Sequence, residues 1–191
     1  MTNSRAKKIA LTGLLFALAL TFSFIESVFP SIPGMPPGIK LGLSNIVTMF
    51  CLFSLGAPYT AAVVILKAGF SFLMRGTIAG ILSLSGGLLS AFVMFSLIVF
   101  GKQRLSIGFT SISGAVAHNV GQIFTVRLFI GSNAVFFYLP LLLLSGIVMG
   151  TLTGITYKAV CPYLEKLYDP ASAASKNRKT KNAVDFSNRY D

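Results

Sequence analysis

Two sets of side chains in this sequence have the types and the spacing to do chemistry. Lys67, Ser71 and Arg75 recur at i, i+4 and i+8 in and just past the apolar run Tyr59–Met74. A helix there places all three on nearly one face. Lys67 lies about ten residues into the run, or about 15 Å along a helix. An ionisable residue at the middle of a spanning helix costs about 2.5–3.5 kcal/mol on insertion scales. A lysine at that depth snorkels to the surface, pairs with an acid such as Glu26, or faces a ligand.

The second set lies in AVAHNVGQIFTVR. His118, Gln122 and Thr125 share a face by i, i+4, i+7 spacing, with Asn119 beside them. Buried polar groups are hydrogen-bonded to something. Such a cluster therefore either ties helices together or receives a ligand, and His118 is the sole histidine of the chain. Arg127 falls on another face and reads as an interface anchor.

Glu26, the one acid in the apolar part of the chain, sits near the end of the first apolar run. Lys40 and Asn45 flank the start of the second. With the spans assigned as below, Glu26, Lys40, Asn45, Lys67, Ser71, Arg75, His118, Asn119 and Gln122 all fall in the outer half of the membrane or at its midplane. That asymmetry predicts a pocket opening outward with a cationic bias. Lysine and arginine would grip an anionic or polar small molecule, and the amides would orient it.

Several kinds of chemistry are not provided for. The sequence has no P-loop, no cluster of acids to hold Mg²⁺ on a diphosphate, and no Ser-His-Asp set or nucleophile elbow. Of the five acids, four lie from Glu165 onward. Cys51 and Cys161 have neither disulfide-framework nor metal-ligand spacing, and nothing is spaced to hold haem or an iron–sulfur cluster. No filter motif or inverted repeat appears. The chain is expected to bind rather than catalyse, with no cofactor and no metal.

The elements that must position these residues follow from composition. Of 191 residues, 54% are hydrophobic and 11% are charged. A soluble domain carries roughly 25% charged residues, so this chain reads as an all-α integral membrane protein. At about 20 residues per span, six spans fit: 9–29, 41–55, 59–74, 78–100, 106–130 and 135–160. The Pro/Gly stretch SIPGMPPGIK (31–40) reads as an extended loop.

The expected organisation is a basic N-terminus over 1–8, a six-helix membrane domain over 9–160 and a polar tail over 161–191, disordered or peripheral. The formal net charge of +11 is concentrated at the two ends. That pattern marks cytoplasmic membrane flanks, with both termini inside a prokaryotic cell membrane, and no aromatic-basic interleaving points to nucleic acid. Gly146, Gly150 and Gly154, and likewise Ser83, Gly86, Gly87 and Ser90, form small-residue ridges that let helices meet within the chain. Ala6/Ala10 and Gly13/Ala17 on the first run form similar pairs that could contact another subunit.

The segments PGIKLGLSNIVTMF (37–50), SLSGGLLS (83–90), GAVAHNVGQ (114–122) and YLPLLLLSGIVMGTLTG (138–154) together resemble the Gx transporter family. That family carries the label heptaprenyl diphosphate synthase component I and is similar to the substrate-binding S components of energy-coupling factor transporters. The resemblance spans roughly residues 6–160. It implies a six-helix S-component-like bundle whose first loop, here 31–40, caps an outward pocket. It also implies docking through small residues of the first helix, matched by Ala6, Ala10, Gly13 and Ala17, on a membrane coupling subunit that carries two ATPases. The family label implies a different role, as a non-catalytic membrane partner of a prenyl synthase component II. A membrane subunit of a quinone- or flavin-linked redox system is a third reading.

Overall fold

The computed structural model describes residues 2–28, 44–101 and 105–168. The loop 31–40, with Lys40, lies outside these residues, as does the side chain of Glu26. The described residues form six α-helices and one short 3₁₀ helix, with no strand among them. The helices are α1 (Thr2–Val28), α2 (Ser44–Leu55), α3 (Ala57–Arg75), α4 (Thr77–Phe100), α5 (Ile107–Ile130) and α6 (Leu139–Tyr168), with the 3₁₀ turn at Asn133–Tyr138.

The helix count is as expected, and most boundaries fall within a few residues of the expected ones. Two differ for a local reason. The sixth run opens as the 3₁₀ turn, because the Ser132 hydroxyl accepts from the Ala134 amide and tightens the backbone there. Pro140 then stands in the first turn of α6, where a missing N–H costs nothing. α6 also runs on to Tyr168, past the expected end at Val160, so the first residues of the expected polar tail are helical. The chain divides into two compact units, residues 1–157 and 158–191.

Two connections are reduced to one residue each. Gly56 joins α2 to α3 at φ 92°, ψ 178°, and Gly76 joins α3 to α4 at φ 89°, ψ 176°. That region of backbone space is essentially open to glycine alone. Each glycine serves both neighbours. The Gly76 amide closes α3 on the Phe72 carbonyl, and its own carbonyl accepts from the Gly80 amide to begin α4.

Close approaches at small residues give the register. A Cβ on Gly80 would meet Phe72, and one on Gly87 would meet Val64, so α3 and α4 run antiparallel. Gly86 and Gly121 bring α4 and α5 together at the level of His118, and Gly114 meets Met94 further along. Gly146, Gly150 and Gly154 lie against Val116, Ile112 and Gly108 of α5. Both small-residue ridges therefore pack within the chain.

The distribution of polarity is inverted relative to a water-soluble bundle. Large apolar side chains point outward on every helix, including Leu14, Phe53, Leu73, Phe92, Leu128 and Ile155. Ser23, Ser44, Thr48, Thr60, Lys67, Ser90, Ser111 and Gln122 are buried among Leu15, Val63, Leu82 and Ile123. An apolar exterior around a hydroxyl-rich interior suits lipid as the surrounding solvent. α3, α4 and the segment Asn133–Cys161 are long and apolar enough to cross a membrane, and Ile9–Ile25 and Ser44–Leu55 are shorter apolar helices. α5 has the length at 24 residues, but its inward polar side chains dilute its hydropathy. This is a membrane protein of several apolar helices.

Candidate functional site

Lys67 is the most deeply buried charge among the described residues, at 2% exposed. Its ammonium donates to the Ser44 hydroxyl at 3.2 Å. This contact is long-range in sequence and short in space because α2 and α3 fold back on each other about Gly56, which brings the first residue of α2 beside the middle of α3. Asn45 and Thr48 are buried next to Ser44 on the same helix. One turn beyond Lys67, the Arg75 guanidinium reaches back to the buried Ser71 hydroxyl at 3.4 Å, as a long side chain on a helix does. The expected face of Lys67, Ser71 and Arg75 is thus present, and Ser44 adjoins it.

His118, Asn119 and Gln122 are all buried, and the structure divides them between two interfaces. His118 and Gln122 face α4, where a Cβ on Gly86 would sit 2.9 Å from the His118 ring and 3.0 Å from the Gln122 chain. The two side chains are 3.2 Å apart, nitrogen to nitrogen. With the Gln122 amide as donor, His118 accepts on Nε2 and so carries its proton on Nδ1. The carbonyl oxygen of the Gln122 side chain is buried with no hydrogen-bond partner among the described residues, as is the Ser90 hydroxyl.

Asn119 points the other way. Its amide donates to the Leu142 carbonyl at 2.8 Å and to the Ser145 hydroxyl at 3.3 Å, with Ser111 donating to the Gly150 carbonyl at 2.7 Å further along the same seam. Asn119 is therefore a tie between α5 and α6. Thr125 lies 2.7 Å from the Ser85 hydroxyl and closes the α4–α5 seam. Arg127 is exposed and donates to the Asn133 side-chain oxygen at 2.8 Å, outside the buried cluster.

The registers relate the two groups. The Lys67 turn of α3 is level with the Leu84 turn of α4, by the Phe72–Gly80 and Val64–Gly87 approaches. That turn is in turn level with Gln122, by the Ser85–Gly121 approach. Lys67 and Gln122 thus occupy one layer of the bundle. Ser44 is the residue that sequence reasoning passed over. Its only signal was its place beside Asn45 at the start of a helix, and nothing local announces the lysine 23 positions away.

On α1 the buried side chains Leu15, Ala19 and Ser23 mark one face. Ala6, Ala10, Gly13 and Ala17 are all exposed on the opposite face, and a Cβ on Gly13 would meet nothing within 4 Å. Among the described residues no group of three or more His, Cys, Asp or Glu side chains could hold a metal ion.

The family model described as heptaprenyl diphosphate synthase component I matches residues 15–160. No curated protein and no solved structure matches the chain.

Proposed function

The chain belongs to the heptaprenyl diphosphate synthase component I family, and we propose that it works as a membrane binding subunit for a small anionic molecule. In this reading six helices cross a prokaryotic cell membrane with both termini inside, and the Gly76 end of α3 faces outward. Uptake is energised by a separate coupling subunit with two ATPases, docked on the exposed stripe of Ala6, Ala10, Gly13 and Ala17. The chain itself is not an enzyme.

The observation that carries the reading is the burial of Lys67 in a hydroxyl-lined interior, level with Gln122. Desolvating an ammonium costs several kcal/mol. Packing alone would be served as well by methionine, and on this reading the buried ammonium meets the charge of the ligand. The residues proposed to contact the ligand are Lys67, Ser71, Arg75, Asn45, His118 and Gln122.

The second reading rests on the family's name, which speaks of one component of a synthase. It makes this chain a non-catalytic membrane partner of a prenyl synthase component II. Native mass spectrometry of the protein, purified in mild detergent from its host, separates the two. A retained small molecule, alone or with coupling and ATPase subunits, supports the binding reading. A co-purifying prenyl synthase or redox subunit, with lipid alone in the interior, replaces it with the scaffold reading.

A further inference from the structure

We infer, resting on the binding reading above, that the seam between α4 and α5 receives a hydroxyl group from outside the chain, held by the Gln122 amide and the Ser90 hydroxyl. Gln122 is 2% exposed and Ser90 1%. The side-chain oxygen of Gln122 and the hydroxyl oxygen of Ser90 are buried, and neither has a hydrogen-bond partner among the described residues. The two flank His118. On one side the Gln122 amide nitrogen stands 3.2 Å from the imidazole. On the other, a Cβ on Gly114, one turn before His118, would lie 3.3 Å from the Ser90 hydroxyl. Gly86, one turn before Ser90, lies against His118 and Gln122, so the three polar side chains form one row along the seam.

Hydroxyls elsewhere in the bundle are satisfied within their own helix. Thr48, Thr60, Thr110 and Thr125 each donate to the carbonyl four residues back, a bond open to any serine or threonine in a helix. Ser90 makes no such bond to Gly86. Burying an amide oxygen and a hydroxyl without partners is costly, and such atoms are completed by a bound group or an ordered water. A hydroxyl fits both. It donates to the Gln122 oxygen. Because it also accepts, it serves equally well with the amide turned over, when the oxygen accepts from His118 and the NH₂ is left to donate. The Ser90 hydroxyl either donates to such a group or accepts from it. The acidic group of the proposed ligand, when ionised, offers acceptors alone. The hydroxyl is therefore a separate group, an alcohol of that ligand or a bound water.

The test is Ser90→Ala, which removes one oxygen and leaves a good helix former. The full chain is purified in mild detergent from its host, and the small molecule it retains is followed by native mass spectrometry on serial dilution. The released molecule is fragmented to identify its functional groups. The unfolding midpoint is measured on chain emptied by extensive exchange in detergent. With the hydroxyl on the ligand, the released molecule carries an alcohol. Ser90→Ala then holds it about fivefold less tightly, the usual net worth of a neutral hydrogen bond, and the midpoint of the emptied chain stays or rises. Gln122→Met should weaken retention as well. With the hydroxyl from water, Ser90→Ala lowers the midpoint of the emptied chain and leaves retention as it was.

Unchanged retention in Ser90→Ala, together with an emptied chain as stable as the wild type or more so, overturns this inference and leaves the binding reading standing, because the oxygen then meets nothing. A retained molecule without a hydroxyl, with no loss of stability in the emptied variant, overturns it as well. A wild-type chain that retains no small molecule removes the binding reading, and the midpoint of Ser90→Ala alone then decides for or against a held water.

Discussion

The Lys67 ammonium and the Ser44 hydroxyl, 3.2 Å apart and both buried, tie the middle of the bundle to the first residue of α2. This is a polar contact between two helices that both bury apolar side chains, Val47 and Phe50 on α2 and Val63 and Ala68 on α3. It holds a positive charge in the interior, with Lys67 at 2% exposed. Under the binding reading the contact belongs to the site, because an alanine–methionine pair would hold the same helices without desolvating an ion.

Replacing the charge separates these two roles. Lys67→Met should leave the unfolding midpoint in detergent unchanged or raise it, since methionine fills the space of the lysine stem without the desolvation cost. The same variant should lose ligand retention in native mass spectrometry. His118→Leu should also lose retention, with the α4–α5 seam kept by Thr125 and Ser85. Normal retention by both variants would remove these residues from the site.

How much of this was legible in the sequence depended on the range of the interaction. Lys67, Ser71 and Arg75 lie on one helix, so their common face followed from spacing alone. The glycine ridges were readable for the same reason. Asn119 was grouped with His118 because they are adjacent in sequence. A step of about 100° around the helix instead turns Asn119 to α6, and only the position of α6 reveals that. Ser44 needed the reversal at Gly56, which no periodicity reports. The number of helices was read from apolar runs, α5 among them, although its polar side chains keep it from being one of the helices long and apolar enough to cross a membrane. The 3₁₀ turn before α6 depends on the hydroxyl of Ser132, a local cap too short to register as a pattern.

Asn119 should behave as a structural residue. Asn119→Leu removes donors to the Leu142 carbonyl and the Ser145 hydroxyl. Interhelical hydrogen bonds in membrane proteins average about 0.6 kcal/mol and reach about 1.7. A loss of about 1 kcal/mol is therefore expected, read as a lower unfolding midpoint, with ligand occupancy per folded chain unchanged. A loss of occupancy greater than the loss of fold would place Asn119 in the site after all.

The two kinds of small-residue stripe should part company under substitution. A Cβ on Gly150 would lie 2.5 Å from the Ile112 backbone, a clash with main chain that a rotamer change does not relieve. Gly150→Ala should destabilise the protein by about 1–3 kcal/mol, the range for overpacking. Gly13→Leu and Ala10→Leu, on the open face of α1, should leave the midpoint and ligand retention as they are. Under the coupling-subunit reading they should reduce co-purification of that subunit. Equal loss of fold and of partner in these α1 variants would mean that the face is packed rather than presented.

The single-residue joints give the last test, because at these positions space and backbone angle make opposite demands. A Cβ on Gly76 would meet nothing, and one on Gly56 would reach only Pro58 at 4.0 Å. By sterics alone both should accept alanine. Their φ values of 89° and 92° forbid it, and a residue held in that region costs of order 1–3 kcal/mol. Gly69, inside α3 with equally open space around its Cβ and no positive φ, is the control. Gly69→Ala should stabilise by about 0.4–1 kcal/mol through the unfolded chain. Gly56→Ala and Gly76→Ala should each lower the unfolding midpoint, and Gly56→Ala should also weaken ligand retention, because it sets the reversal that brings Ser44 to Lys67. Midpoints that rise for all three variants would show that the joints are relaxed and that the Ser44–Lys67 approach does not depend on them.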